Sequence, residues 1–253
     1  MDFQVLISTM NPKPDSFKGK SFHVLVISQN QTGIHFQDEN LAFISFDEKG
    51  LSKSRNRALE NGTGELGLIA DDDVDFCENF DAKIKKAFHD FPDADIITFK
   101  ILTPTGENYK NYPKSSFKHT RKSIYTVSSV EIVFKLESLK KAGIKFDERF
   151  GLGASYPSGE ETIFLNDAMN KGLNIYFVPE YIVMHPLESS GKILDASYYK
   201  TKGALIKRLY GYSFNLVLGI AFLMKQYLKP QRSISLFSSF KESLIGFNSI
   251  NKG

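Results

Sequence analysis

Short apolar runs rich in branched residues alternate with amphipathic stretches over the first two thirds of the chain. Such runs are typical of strands that are buried on both faces of a largely parallel sheet. The strands are predicted at residues 3–8, 22–28, 41–46, 66–70, 95–102, 130–134, 175–178 and 182–184. The helices are predicted at residues 51–60, 80–88, 136–142 and 160–171. This order predicts an α/β fold in which helices flank a mixed, mostly parallel sheet.

Two polar segments interrupt the predicted strands and helices. Residues 103–121 contain Pro104, Gly106 and Pro113, which predicts a long loop or hairpin. Residues 150–158 are rich in glycine and predict a second loop. We therefore expect one large α/β domain over residues 1–195 and a helical extension over residues 196–253.

Composition excludes several classes of protein. With 42% hydrophobic and 24% charged residues, the chain is not extensively disordered. Its single cysteine, Cys77, excludes an internal disulfide framework and is expected to be a small buried side chain rather than a nucleophile. The formal net charge of +3 is too small to argue for a nucleic-acid partner. The first residues lack the pattern of a secretory signal, so we expect a cytoplasmic protein.

Three consecutive carboxylates, Asp71, Asp72 and Asp73, come directly after the predicted strand 66–70. Three carboxylates at the end of a buried strand repel one another and lose solvation, so a positive charge is needed to offset this cost. Mg²⁺ and Mn²⁺ provide it, because both prefer hard oxygen ligands and bind phosphates. Ligands of open α/β sheets also bind beyond the carboxyl ends of the strands. The cluster predicts a divalent-cation site, with a solvated acidic turn as the alternative.

Two other functions of an aspartate cluster fail on spacing. Asp71, Asp73 and Asp75 have the spacing of ligands in a calcium-binding loop. The sixth position of that loop, however, holds Phe76 instead of Gly, and the twelfth holds Ala82 instead of Glu. A phosphatase that forms an aspartyl phosphate needs Thr or Val four residues after its nucleophile, and neither Asp71 nor Asp73 is followed by one there.

Several short motifs stand in a characteristic order along the chain. Residues 7–11 (ISTMN) end the first predicted strand. Residues 50–58 (GLSKSRNRA) precede a Gly-Glu pair at 64–65, a strand and the three aspartates. Residues 159–161 (GEE) open a predicted helix, and His185 follows the last predicted strand. In this order the motifs resemble the I-P-T-Y-N, G-x-S-x-A-R-N-x-G/A, G-E, D-x-D and G-E-D sequences of glycosyltransferase family 2.

The resemblance extends over residues 3–186 and implies a GT-A (Rossmann-like) fold. It also implies transfer from a nucleotide-sugar donor, expected to be a UDP-sugar, with inversion at the anomeric carbon and Mn²⁺ or Mg²⁺ as cofactor. Asp73 would bind the metal, and Asp71 and Asp72 would contact the donor, Asp71 through its ribose or through water on the metal. His185 would bind the metal or the diphosphate from the opposite side. A lone histidine after an apolar strand is otherwise a partly buried structural residue.

The same resemblance places the catalytic base at Glu161, beside Glu160. The alternative is a capping box, in which Ser158 and Glu161 would satisfy amides at the start of the helix. Thr9 and Asn11 would line the pocket for the nucleotide base.

Arg55 would lie near the nucleotide, although it could also belong to a solvated helix face. The acidic cluster that family members carry after the second strand is absent, since residues 29–31 read Gln-Asn-Gln, and this leaves the donor's base open.

The extension combines an apolar segment with basic flanks. Residues 214–224 (FNLVLGIAFLM) are too short to span a bilayer, which takes about 20 apolar residues. Residues 196–232 contain no Asp or Glu but seven Lys and Arg. This pattern predicts peripheral attachment to the anionic inner face of the plasma membrane. The alternative is a helix pair that packs on the domain or on a second copy of the chain.

The expected function is sugar transfer to a saccharide or lipid-linked acceptor, in the assembly of a bacterial surface polysaccharide such as capsule or O-antigen. Two alternatives stay open. One is a catalytically silent GT-A module that binds a sugar or a partner, and the other is a metal-dependent nucleotidyltransferase or phosphohydrolase.

Overall fold

The computed structural model describes residues 1–11, 13–186, 194–211, 224–225 and 233–250. The strands are β1 Phe3–Thr9, β2 His23–Gln29, β3 His35–Gln37, β4 Leu41–Phe46, β5 Leu66–Asp71, β6 Asp75–Phe76, β7 Ile96–Leu102, β8 Phe117–Lys118, β9 Ile132–Lys135 and β10 Ile175–Met184. The helices with both ends in the described residues are α1 Leu51–Asn61, α2 Phe80–Asp90, α3 Leu136–Ala142, α4 Glu160–Asn170, α5 Ala196–Tyr210 and α6 Leu236–Ser249.

The strands form one mixed sheet in the order β3-β4-β2-β1-β5-β9-β7-β10-β6, with β8 also paired to β10. The parallel pairs β2/β4, β1/β2, β1/β5 and β7/β10 each join six residue pairs. The antiparallel pairs are shorter, and those of β9 with β5 and β7 join three residue pairs each. The sheet is therefore mostly parallel, as predicted, and the carboxyl ends of β4, β2, β1 and β5 meet at one edge.

Helices cover both faces of the sheet, which explains why its strands read as continuous apolar runs. In β1, Val5 and Ile7 face one core layer and Leu6 faces the other. Helix α2 packs on the first layer through Ile84, and α4 packs on the second through Phe164. Burying one such side chain contributes about 1.5–3 kcal/mol. Cys77 is buried, as predicted, and burial raises the pKa of its thiol.

The two strands predicted at residues 175–178 and 182–184 are one continuous strand, β10, so that prediction was wrong. Pro179 has no amide hydrogen and cannot extend the ladder. The pairing of β10 with β7 shifts register between Phe177 and Tyr181, but the chain stays extended through the irregularity. Strands β3, β6 and β8 have only two or three residues each, too few to show a pattern in the sequence.

Helix α5 attaches the extension to the α/β domain. Arg208 of α5 forms ion pairs with Asp147 at 2.8 Å and with Asp167 at 2.5 Å. Except for Met224, the apolar segment predicted at residues 214–224 lies outside the described residues. No helix in the described parts of the chain is long and apolar enough to cross a membrane.

Candidate active site

The carboxyl ends of three neighbouring strands bring the first predicted site residues together. In the sheet register, Thr9 at the end of β1 lies opposite Ser28, and Ser8 lies opposite Asp71. The Thr9 hydroxyl donates a hydrogen bond to the Asp72 carboxylate. The same hydroxyl accepts a hydrogen bond from the Asn11 backbone N–H at 2.8 Å. The end of β1 therefore fixes the orientation of the aspartate turn.

A cleft of about 480 Å³ opens over this edge of the sheet. That volume lies within the range of about 300–1,000 Å³ that is usual for small-molecule sites. The cleft contains five of the predicted site residues, namely Thr9, the three aspartates and His185. Its wall is lined by Ser8, Thr9, Met10, Gln29, Lys49, Gly50, Leu51, Asp71, Asp72, Asp73, Leu152, Gly153 and His185.

His185 faces Asp73 across the cleft. It follows the end of β10, which pairs antiparallel with β6 just after the aspartates, and this pairing brings its Nε2 to 3.4 Å from Asp73 Oδ1. His185 Nδ1 lies 2.7 Å from the carbonyl oxygen of Pro186. Because a carbonyl can only accept, Nδ1 carries the proton in the neutral ring and Nε2 keeps its lone pair on the Asp73 side. A carbonyl that accepts the other ring N–H in this way orients a metal-binding imidazole.

These two side chains fit a divalent cation that keeps other ligands. Asp73 offers a hard oxygen and is 62% exposed, and His185 offers a nitrogen suited to Mn²⁺. Within the residues that the structure describes, no group of three or more His, Cys, Asp or Glu side chains is arranged to hold a metal ion. The fit is therefore to a cation that takes its remaining ligands from water and substrate phosphates, as Mg²⁺ does in phosphate-transferring sites.

Arg55 lies beneath the cleft and contacts three carboxylates. Its guanidinium is 3.3 Å from Asp71, 3.3 Å from Glu160 and 3.6 Å from Glu161. The side chain is 3% exposed, so it is not the solvated helix face that the sequence left open. Burial alone would lower the pKa of Arg55, but the carboxylates, Asp71 first, raise it overall. Arg55 therefore remains a cation and connects the aspartate turn to the start of α4.

Glu160 is a buried carboxyl group with incomplete hydrogen bonding. Its Oε2 has no hydrogen-bond partner among the described residues. Burial, together with the charge of Glu161 and against the opposing effect of Arg55, raises the pKa of Glu160 to about 7. Gly151, at φ +105°, covers it so closely that a Cβ there would lie 3.3 Å from the carboxyl carbon of Glu160.

Glu161 does not cap helix α4, which was the alternative role that the sequence suggested. The N-cap of α4 is Gly159, at φ 105°, and no side chain caps the helix. The capping box between Ser158 and Glu161 is therefore not formed. The Glu161 carboxylate is 21% exposed and contacts Arg55 instead.

Four predicted site residues do not line the cleft. Glu160, Glu161 and Arg55 are joined to the cleft through Asp71, which lines the cleft and contacts Arg55. Asn11 borders the cleft through its hydrogen bond to Thr9, while its own carboxamide accepts from the Lys13 backbone N–H at 3.0 Å.

Several residues of the cleft were not predicted. Lys49 places an exposed cation in the wall, directly before the motif at residues 50–58, and its position there was the only signal. The Gln29 carboxamide accepts a hydrogen bond from the Gly50 backbone N–H at 2.8 Å, so it supports the loop that carries this cation. Met10 and Leu152 are 61% and 67% exposed and form an apolar rim.

The chain is similar to solved structures of TarS from S. aureus. Against TarS residues 1–349 the TM-score is 0.62 at 18% identity, and the match covers 98% of this chain and 80% of that one. The structures of the same TarS region in complex with UDP-GlcNAc and with UDP give TM-scores of 0.57 and 0.54, each at 20% identity. These two matches cover 82% of this chain and 66% and 65% of the other.

TarS has a GT-A-like glycosyltransferase fold, and the likeness gives this chain the same fold, as predicted. No protein-family model and no curated protein matches the sequence.

Proposed function

We propose that this protein transfers a sugar from a nucleotide-sugar donor to an acceptor hydroxyl with the help of a divalent cation. The observation that carries the proposal is the convergence of Asp73 and His185 in a cleft at the carboxyl edge of a GT-A-like sheet. The TarS structures with UDP-GlcNAc and UDP support a uridine nucleotide as the donor's carrier. The order of the family 2 motifs supports an inverting reaction.

Asp73 and His185 would hold Mn²⁺ or Mg²⁺ in this cleft. The cation would supply charge neutralisation of the leaving diphosphate. Lys49, exposed in the same wall, adds a second positive charge toward the diphosphate. The Thr9 hydroxyl holds the Asp72 carboxylate in place. Asp71 and Asp72 would then orient the donor.

Glu161 is the proposed general base; it does not line the cleft itself but is joined through Arg55 to Asp71 in the cleft wall. An inverting transfer needs a carboxylate that accepts the proton of the acceptor hydroxyl as that hydroxyl attacks the sugar. Glu161 is partly exposed, is not used as a helix cap and lies 3.6 Å from the Arg55 guanidinium. Glu160 is buried against the same guanidinium, so it supports this arrangement from behind rather than contacting substrate.

The acceptor side of the proposal rests on the apolar rim and the basic extension. Met10 and Leu152 offer apolar surface at the mouth of the cleft, which suits an acceptor that carries a lipid. A lipid-linked saccharide on the cytoplasmic face of a bacterial membrane, used for a surface polysaccharide, is the proposed acceptor. This assignment is by analogy with the family motifs, and the fold does not specify it.

Release of nucleoside diphosphate from a panel of nucleotide sugars, measured with Mn²⁺ and with a chelator, tests the proposal. We expect release that needs the cation and that falls at least about a hundredfold in Asp73→Asn, because transition-state charge stabilisation is lost. The matched control, Asp90→Asn, removes an exposed carboxylate at the end of α2 that does not line the cleft, and it should leave release unchanged. Release of nucleoside monophosphate and sugar 1-phosphate would instead identify a phosphohydrolase. Formation of nucleoside triphosphate and sugar 1-phosphate on addition of pyrophosphate would identify a nucleotidyltransferase. Donor binding without any turnover would identify a silent module.

A further inference from the structure

Helix α6 exposes its large apolar side chains. Phe237 is 78% exposed, Leu236 is 53% exposed and Phe240 is 51% exposed. Leu244 and Ile245, one to two turns further on, are 45% and 41% exposed. At 3.6 residues per turn these five side chains lie on one side of the helix. We call these five residues the α6 apolar face.

The opposite side of α6 faces the protein and is made of small residues. Ser239 and Ser243 are buried, and a Cβ on Gly246 would lie 1.8 Å from the Lys200 carbonyl oxygen of α5. A Cβ on Gly203 of α5 would likewise lie 1.9 Å from the Ser243 carbonyl oxygen. A surface helix of a globular protein normally buries its large apolar side chains. Of its six large apolar side chains, α6 packs one, Phe247, against the protein and exposes the other five, so its apolar face is available to a partner.

Charge identifies the class of partner. Residues 196–250 contain eight of the 32 Lys and Arg but only one of the 29 Asp and Glu, Glu242. The rest of the chain is therefore net negative. Within the described residues, Lys241 is exposed beside Phe240 on α6, and Lys225 is also exposed. Apolar side chains flanked by lysines bind the interface of an anionic bilayer, where acyl chains and lipid phosphates satisfy both.

We propose that the α6 apolar face docks on an anionic membrane surface, with Phe237 and Phe240 inserted among the lipids and Lys241 at the headgroups. A second copy of the chain is a poorer partner. A two-fold contact places the same patch on both sides of the interface, and the basic extension, with eight Lys and Arg against one Glu over residues 196–250, would then lie against itself. This surface goes beyond the proposed function, because its binding to lipid requires no donor, metal or turnover.

The helix that carries the α6 apolar face contacts the elements around the candidate active site. At the end of α6 the Ser249 hydroxyl lies 2.6 Å from the Tyr156 hydroxyl of the glycine-rich loop. In α5, Leu205 packs against Gly159 at the start of α4, where a Cβ would approach it to 3.2 Å. If the proposed function holds, membrane docking through α6 keeps the cleft close to a lipid-linked acceptor.

Sedimentation of the full chain with vesicles tests the docking. The vesicles are phosphatidylcholine alone or phosphatidylcholine mixed with phosphatidylglycerol, and neither donor nor metal is added. We expect binding to the anionic vesicles only. The double variant Phe237→Ser/Phe240→Ser should bind at least about tenfold more weakly, from the lost apolar burial. Lys241→Gln should bind about fivefold more weakly at low salt, while Lys20→Gln, exposed on the α/β domain, should bind like the wild type.

Three results would overturn the proposal. They are equal binding to both kinds of vesicle, undiminished binding of the double variant, and a wild-type dimer that the double variant converts to a monomer in the absence of vesicle binding. Thermal unfolding of the double variant serves as the control for folding. Because vesicle binding is measured without substrate, a failure of the proposed sugar transfer would leave this result unaffected.

Discussion

Replacing Glu160 with Gln removes a buried charge and keeps the shape of the side chain. Glu160 is 4% exposed, and its Oε1 accepts a hydrogen bond from Arg55 at 3.3 Å. The carboxamide oxygen of a glutamine can accept the same bond. The variant Glu160→Gln therefore isolates the effect of ionisation from the effect of packing.

The magnitude follows from the pKa of Glu160, which burial raises from 4.5 to about 7. The folded protein then binds the proton more tightly than the unfolded chain does. The free energy of unfolding therefore falls as the pH rises from the unfolded pKa through the folded pKa. The difference between the two pKa values corresponds to about 3 kcal/mol. The glutamine variant has no such proton, so it should equal the wild type at low pH and exceed its stability by up to about 3 kcal/mol above the folded pKa.

Urea unfolding of the wild type and the variant at about pH 5 and about pH 8 measures this difference. The exposed carboxyl group of Glu39 provides the matched control, since Glu39→Gln should change stability little at either pH. A stability difference between Glu160→Gln and the wild type that is equal at both pH values would show that the folded protein does not bind this proton more tightly than the unfolded chain. So would a variant that is less stable than the wild type at the higher pH.

Four further substitutions test other parts of the structure. Glu161→Gln should abolish transfer and leave donor affinity unchanged, as measured by nucleoside diphosphate release and by calorimetry of donor binding. Arg55→Lys should lower kcat more than it changes the donor KM, because an ammonium cannot contact three carboxylates as the guanidinium does. Glu131→Ala should cost about 3–5 kcal/mol in urea unfolding, because it removes the buried partner of Lys110 at 2.8 Å. Gly246→Ala should cost about 1–3 kcal/mol or more in thermal unfolding, because its Cβ has no room against α5, whereas Asn248→Ala on the exposed side should cost little.

The sequence predicted the parts of the fold that depend on local pattern. Buried parallel strands must be apolar along their whole length, so β1, β2, β4 and β5 are readable within a residue or two. Polar residues that directly follow such strands must lie at the carboxyl edge of the sheet. This rule placed the three aspartates at that edge, whereas Thr9 was assigned to the site by the family resemblance; the structure brings all four into one cleft.

Contacts between distant segments could not be predicted in this way. The ion pair of Arg55 with Glu160 joins residues 105 positions apart, and no local spacing encodes it. The sequence therefore offered only two readings of Arg55, near the nucleotide or on a solvated helix face, and neither was a buried cation. The same holds for α6. The side that packs on the protein is defined by the close contact of Ser243 with Gly203 of α5, two residues that are distant in sequence.

Calorimetric titration of UDP into the wild type, with and without Mn²⁺, measures whether Asp73 and His185 together hold a cation that binds the diphosphate. We expect Mn²⁺ to raise the affinity for UDP at least about tenfold and Asp73→Asn to remove this gain, because a cation held by Asp73 would neutralise charge on the diphosphate. Affinity that is the same with and without Mn²⁺, or a gain that survives in Asp73→Asn, would contradict this expectation.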